Sequence, residues 1–316
     1  MKILVIGLGS IGKRHAQNLL KCGYKDLIFC TKNKNLPKEL KKIKCYKKLI
    51  LALNEKPKVA FICNETTLHC RTAIKCAEKN CAIFIEKPLG HKLKEIKKLQ
   101  KIVNNKKIFN MVGYMMRFHP AIIAIKKLIK KKYLGKLFYA YSEWGEYLPN
   151  WHPKENYKKS YAAKKIGGGS SITLSHDLDL FRWFFGPIKK IIKETIKGTS
   201  LNIKAESASD FLLKFKSGIN AFVHLDYLQK KSARYLKIVG EKGYVIFEYK
   251  KNKLVINKFD NKKEKVIIFK KFNRDQMFIN EIKYFFKNYN NKQRKKLNNF
   301  SNIKESFLLL KETKLI

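Results

Sequence analysis

Near the start of the chain, Gly7-Leu8-Gly9-Ser10-Ile11-Gly12 has the spacing with which a backbone approaches a pyrophosphate. The first glycine allows a tight turn, the second close approach of the anion, and the third close packing of helix on strand. Ser10 and Ile11 open the helix that follows, and its N–H groups with their partial positive charge would face the phosphates. An acid is expected at the end of the second strand, to hold the ribose 2′-hydroxyl of NAD. Asp26 lies at the wrong end of that strand, and the exit reads Cys30-Thr31-Lys32-Asn33-Lys34. Thr31 with Lys32 or Lys34 suits a 2′-phosphate, so NADP is slightly favoured over NAD. Farther on, Ile83-Phe84-Ile85-Glu86-Lys87-Pro88 is an apolar run that delivers a lysine to a strand end, where open α/β sheets bind ligands. Proline after the lysine keeps that exit extended.

These residues need a particular set of elements to hold them. Short apolar runs at Lys2–Ile6, Asp26–Thr31, Val59–Cys63, Ala82–Glu86 and Phe109–Gly113 alternate with helical patterns at Gly12–Cys22, Thr67–Lys79 and Leu93–Val103. That order predicts βαβ units and a parallel sheet buried on both faces. After Pro120 the character changes. A helix over Ala121–Lys131 leads to a strand over Leu137–Ser142 and then a long aromatic loop, Glu143 to Pro153. A helix is expected from near Gly169 to Trp183, then mostly strands from Ile191 to about Lys270, and closing helices over Asp275–Asn288 and Ile303–Lys314. The expected class is α/β: a Rossmann dinucleotide-binding domain, 1–120, and an α+β domain with a large, mostly antiparallel open sheet, 121–316.

Seventy Lys and Arg against 24 Asp and Glu give a net charge of +46. The surplus is spread along the whole chain without a basic tail or arginine tract, which reads as a solvated surface and argues against a nucleic-acid partner. Seven cysteines, all between Cys22 and Cys81, form no CxxC pair and no metal framework, so buried reduced thiols in a cytoplasmic protein are expected. No apolar run reaches the roughly 20 residues that span a bilayer.

Taken in order, GLGSIGKRHAQNL from Gly7, Cys63-Asn64…His69, EKPLG from Glu86, Gly113-Tyr114-Met115-Met116-Arg117-Phe118 and Gly167-Gly168-Gly169…His176 resemble the Gfo/Idh/MocA oxidoreductase family. The resemblance covers nearly the whole chain. It implies NAD(P)-dependent oxidation or reduction of a sugar, nucleotide sugar or cyclitol by a homodimer or homotetramer. It puts Lys87 near the nicotinamide and the reacting hydroxyl, makes His176 the general acid/base, and adds Asn64, His69, Glu86 and Arg117 to the cofactor contacts. Asp179, three residues after His176, also matches the pattern. One departure stands out: Thr173 occupies the position where the family usually carries an aspartate, and it could serve only as a polar helper. The chemistry is consistent, since a histidine can take the hydroxyl proton and a lysine can stabilise alkoxide character. Trp151 and His152 in the aromatic segment, with Arg117, are candidate substrate contacts, because indole faces suit the apolar faces of sugar rings. The alternative is a dinucleotide-binding sensor that keeps the fold without the reaction.

Overall fold

The computed structural model describes residues 1–33, 35–260, 263–291 and 301–316. They divide into two compact units, one of Met1–Phe118, Asn273–Phe307 and Ile316, the other of His119–Phe272 and Leu308–Leu315.

In the first unit, strands β1 (Ile3–Ile6), β2 (Leu27–Cys30), β3 (Cys45–Tyr46), β4 (Val59–Ile62), β5 (Ala82–Glu86) and β6 (Asn110–Gly113) form a sheet in the order β3-β2-β1-β4-β5-β6. Every pairing in it is parallel. β1, β2, β4 and β5 are buried along their whole length, which explains their apolar runs, interrupted only by Glu86 at the end of β5. The strand order reverses between β1 and β4, and the carboxyl edge there is where doubly wound sheets receive ligands. The expected helices form over Ser10–Lys21, His69–Glu78 and Leu93–Asn105, the second preceded by a 3₁₀ turn at Thr66–Leu68. β3 was not anticipated, because two residues carry no legible periodicity.

The compact units part after Phe118, two residues before the expected division, and the described residues of 273–307 together with Ile316 group with the first unit. Helix Arg274–Asn290 lays Phe285 against Phe61, Phe84 and Phe109, and stacks Phe286 on Tyr24 with ring centroids 3.9 Å apart. The first 118 residues leave this apolar surface to be covered, and the chain returns to cover it.

In the second unit β7 (Leu137–Tyr147), β8 (Ile188–Ile196), β9 (Ala208–Phe215), β10 (Asn220–Asp226), β11 (Leu228–Gly240), β12 (Gly243–Glu248), β13 (Lys253–Lys258) and β14 (Lys265–Ile268) lie in the order β14-β13-β12-β11-β7-β10-β9-β8. Only the β7–β10 pairing is parallel. Two expectations are corrected here. The strand expected to end at Ser142 continues to Tyr147, so the first five residues of the supposed loop are ladder. Gly145 permits this, because a Cβ there would sit 2.2 Å from the Gln229 side chain. The helix expected from Gly169 to Trp183 is broken into a single turn, Ser170–Thr173, and a helix His176–Phe185.

One face of this sheet carries a cross-strand row of Ile192, Leu212, Phe222 and Tyr141, with the last two rings stacked. The next row reads Glu194, Asp210, His224 and Glu143. His224 Nδ1 meets Asp210 at 2.7 Å and Nε2 meets Asp226 at 3.0 Å. The bond to Asp226, outweighing burial and helped by Asp210, raises the imidazole from 6.5 to about 9. A raised folded value stabilises most below the unfolded pKa near 6.5, less as pH rises, and not at all above about 9. Wild-type protein should therefore lose a melting-temperature increment on the order of 2–4 °C between pH 6 and pH 9.5, and His224→Gln should not. Parallel melting curves for the two proteins across that range would remove His224 as the cause.

Candidate functional site

The glycine loop leaves β1 with Gly7 at φ +81°, where a Cβ would lie 2.5 Å from the Asn64 backbone. At Gly12 a Cβ would lie 1.9 Å from the Gly7 carbonyl oxygen, so the helix and the strand exit touch through glycine alone. Gly9 is different. Its φ is an ordinary −71°, and a Cβ there would meet no protein atom within 4 Å. Gly9 is the N-cap of helix Ser10–Lys21, no side chain caps that end, and no acid stands in its first turn. The open side of Gly9 and an uncapped helix end beside it fit a bound diphosphate, and Ser10, Ile11 and Gly12 supply the first-turn N–H groups.

The end of β2 is organised around the same loop. Thr31 Oγ1 accepts hydrogen bonds from Asn33 N at 3.0 Å and Leu8 N at 3.5 Å, and Asn33 Nδ2 donates to the Leu8 carbonyl at 2.8 Å. Thr31 and Asn33 thus tie the loop down, while Lys32 stands exposed beside them. Lys34 lies outside the described residues.

Lys87 follows β5, two strands from β1 across β4, at the same carboxyl edge as the glycine loop. Two strand spacings amount to roughly 10 Å. Glu86, the last residue of β5, points into the unit: Oε1 meets His15 Nε2 at 2.5 Å and Oε2 accepts from Lys87 N at 3.1 Å. His69 bridges two strand exits, with Nδ1 2.8 Å from the Pro88 carbonyl and Nε2 2.9 Å from the Asn64 carbonyl. Burial pushes its pKa down against these two acceptors. Asn64 Nδ2 donates to Thr72 Oγ1 at 2.9 Å. Glu86, His69 and the Asn64 amide nitrogen, expected at the cofactor, are thus bonded to His15, the Lys87 amide, Thr72 and the Pro88 and Asn64 carbonyls. Arg117 is buried in the 3₁₀ segment Met115–Phe118.

In the second unit Gly168 and Gly169 make a turn that no side chain could enter. A Cβ on Gly168 would lie 2.4 Å from the Tyr161 carbonyl, and one on Gly169, at φ +95°, would lie 2.2 Å from the Glu206 carboxylate. Thr173 Oγ1 hydrogen-bonds the Gly169 carbonyl at 2.9 Å and also bonds the hydroxyl of the fully buried Tyr227. Its hydroxyl is thereby engaged in holding the turn. His176 begins the helix that follows, its ring stacked on Trp144 with centroids 5.7 Å apart and 27° between planes. The Trp144 ring in turn lies 3.6 Å from the Arg234 guanidinium carbon. Arg234 pairs with Asp177 at 2.7 Å, and Ser142 Oγ donates to the other oxygen of Asp177 at 2.5 Å. The residue after His176 is therefore fixed by a buried ion pair, and the His176 ring rests on an indole held by the same arginine. Asp179 is buried one turn along the helix. Trp151 packs edge-on against Tyr227 at 5.5 Å, whereas His152 is exposed.

Two family models match the chain. The oxidoreductase family with an NAD-binding Rossmann fold matches residues 1–114, and the GFO/IDH/MocA C-terminal domain matches residues 122–246. The chain belongs to the Gfo/Idh/MocA oxidoreductase family. Among curated members, the levoglucosan dehydrogenase of Pseudarthrobacter phenanthrenivorans is 30% identical over 136 residues, 42% of this chain and 34% of that protein. The myo-inositol 2-dehydrogenase of Thermotoga maritima is 24% identical over 310 residues, 91% of this chain and 88% of that protein. Matching thus spans only about a third of the first relative's length and most of the second's. Among solved structures, myo-inositol 2-dehydrogenase from Lactobacillus plantarum superposes with a TM-score of 0.81 at 21% identity, covering 98% of this chain and 94% of that one, a likeness of fold. Membership places this chain in an oxidoreductase family and gives residues 1–114 that family's NAD-binding Rossmann fold. Among its described residues no helix is long and apolar enough to cross a membrane, and no His, Cys, Asp and Glu gather as a metal site.

Sequence reasoning missed His15, Asn33, Tyr227 and Arg234. His15 carried a signal: it falls on the helix face of Gly12, Ala16 and Leu19, where a buried imidazole requires a partner. Arg234 carried none, since it stands in a strand amid other basic residues.

Proposed function

We propose that this protein is an NAD(P)-dependent dehydrogenase that interconverts a secondary hydroxyl and a keto group on a sugar, nucleotide sugar or cyclitol. The observation that carries the reading is the shared carboxyl edge of the parallel sheet, where the open Gly9 and Lys87 stand two strands apart. When bound, the nicotinamide cofactor supplies the hydride acceptor or donor. The loop from Gly7 to Gly12 binds its diphosphate by backbone N–H groups. The Lys87 ammonium stabilises negative charge on the reacting oxygen, and His176 accepts its proton in the oxidation direction. Trp151, His152, Asp179 and Arg117 are the proposed substrate contacts. The substrate class is supported by the names of the relatives, levoglucosan and inositol dehydrogenases.

NADP is the proposed preference. The exit of β2 has no acid to bind a ribose 2′-hydroxyl, its Asn33 is turned to the Leu8 carbonyl, and Lys32 is exposed beside it. Seven free cysteines suit a reducing cytoplasm. The exposed row through Ile192, Leu212 and Phe222 is proposed to be covered by a second copy in a homodimer or homotetramer. No nucleic-acid role is proposed for the distributed charge.

Titration with NADPH and NADH by nicotinamide fluorescence, followed by levoglucosan, inositols, free sugars and UDP-, GDP- and CMP-sugars, tests this. Tighter NADPH binding and a substrate-dependent change in nicotinamide absorbance are expected. A second reading, a non-catalytic sensor, is favoured by Thr173 in place of the usual aspartate with its hydroxyl already engaged by Gly169 and Tyr227. Cofactor binding without turnover on the whole panel would decide for it.

A further inference from the structure

We propose that Lys87 is held by a brace of two buried histidines, His15 and His69, acting as positioning residues from two different helices. The proposal rests on the reading of Lys87 given above and concerns how that lysine is aimed.

The brace grips the peptide on both sides of Lys87. On the N-terminal side, Glu86 turns away from the solvent edge, and its two oxygens are divided between the His15 imidazole at 2.5 Å and the Lys87 amide at 3.1 Å. On the C-terminal side, His69 Nδ1 lies 2.8 Å from the Pro88 carbonyl. Both rings are essentially closed to solvent, His15 at 0% exposure and His69 at 2%. His15 is walled by Phe61, Phe84 and Phe278, at centroid distances of 5.7, 5.1 and 5.6 Å, so its ring has no room to swing away from Glu86. The adjacent strand leaves space for the carboxylate with a glycine: a Cβ on Gly113 would lie 3.3 Å from Glu86 Oε1 and 2.9 Å from the Phe84 ring.

A buried carboxylate in such a wall needs a donor, because an unpaired charge removed from water is strongly disfavoured. His15 is that donor, and it sits one helical turn after Gly12. The helix that opens at the phosphate loop therefore also sets the carboxylate that accepts from the Lys87 amide. His69 faces two carbonyl acceptors, and a neutral imidazole can donate to only one of them. Burial disfavours the doubly protonated form. The tautomer with the proton on Nδ1 holds the Lys87-Pro88 turn, and the other would hold the Asn64 exit. The brace requires the first.

The test starts with the wild-type full chain, labelled with ¹⁵N-histidine, without cofactor or substrate. Histidine NMR should find His69 as the Nδ1–H tautomer and His15 protonated on Nε2. His69 protonated only on Nε2, or His15 only on Nδ1, overturns the brace. Hydrogen exchange then compares wild type, His15→Phe and His15→Gln. Exchange at the Lys87 amide should rise about tenfold or more in His15→Phe while β1 and β4 amides stay protected, and should return towards wild type in His15→Gln. Unchanged exchange at Lys87 in a folded His15→Phe, or exchange rising uniformly through the first unit without rescue by glutamine, overturns it too. If His15→Phe fails to fold, the wild-type tautomers decide. Turnover of Lys87→Ala judges the role of the lysine separately: a fully active Lys87→Ala sinks that role and leaves the histidine measurements standing.

Discussion

Lys87→Ala should lower turnover on the protein's substrate by about 10²–10³-fold, and His176→Ala by about 10²–10⁴-fold. In both variants NADPH affinity should stay within about threefold, a change below 1 kcal/mol. The expectation follows from where the two residues stand. Lys87 leaves β5 at the ligand edge of the parallel sheet, after a carboxylate that is already spent on His15 and on the Lys87 amide. His176 opens a helix with its ring on Trp144 and the next residue locked to Arg234 and Ser142. Neither residue belongs to the glycine loop, so removing either leaves the diphosphate contacts in place. Steady-state rates with fluorescence titration separate the two quantities. Full activity in either variant would take that residue out of the mechanism, and equal losses of rate and of cofactor affinity would recast it as a binding residue.

Two glycines three residues apart should behave in opposite ways. Gly9→Ala should melt within about 1 °C of wild type, since the backbone there is ordinary and the added methyl meets no protein atom, while NADPH binding weakens about 10–100-fold. Gly12→Ala should destabilise the first unit by about 3 kcal/mol, because its methyl would lie 1.9 Å from the Gly7 carbonyl oxygen and helix must part from strand. Thermal melting and cofactor titration on the same two preparations check both. A Gly9→Ala protein with undiminished affinity would show that the open side of that residue is not where the diphosphate approaches.

The first half of the fold was legible because its physics is local. Buried parallel strands are short and wholly apolar, the helices between them are amphipathic, and a glycine triplet can be read for its spacing. What stayed hidden depends on partners distant in the sequence. Glu86 and His15 are 71 residues apart, and Asp177 and Arg234 are 57 apart, so no window contains either pair. The apolar face of helix Arg274–Asn290 announced that it would be buried without saying against what. The extension of β7 through Tyr147 was obscured by Trp144-Gly145, which reads as loop until Gln229 is seen to occupy the space of the missing Cβ. The break after Thr173 parts that residue from His176, and a continuous helical pattern gave no sign of it.

The return of Arg274–Asn290 to the first unit also sets a timetable for synthesis. When residue 118 has been made, the aromatic surface of Phe61, Phe84 and Phe109 still lacks the helix that covers it. At roughly 5–20 residues per second, the ribosome needs on the order of 10–35 s more to deliver that helix. Throughout that interval the nascent Rossmann half carries an uncovered aromatic patch, a ready landing place for a chaperone. The second unit, nested in between, has nearly its whole sequence available first.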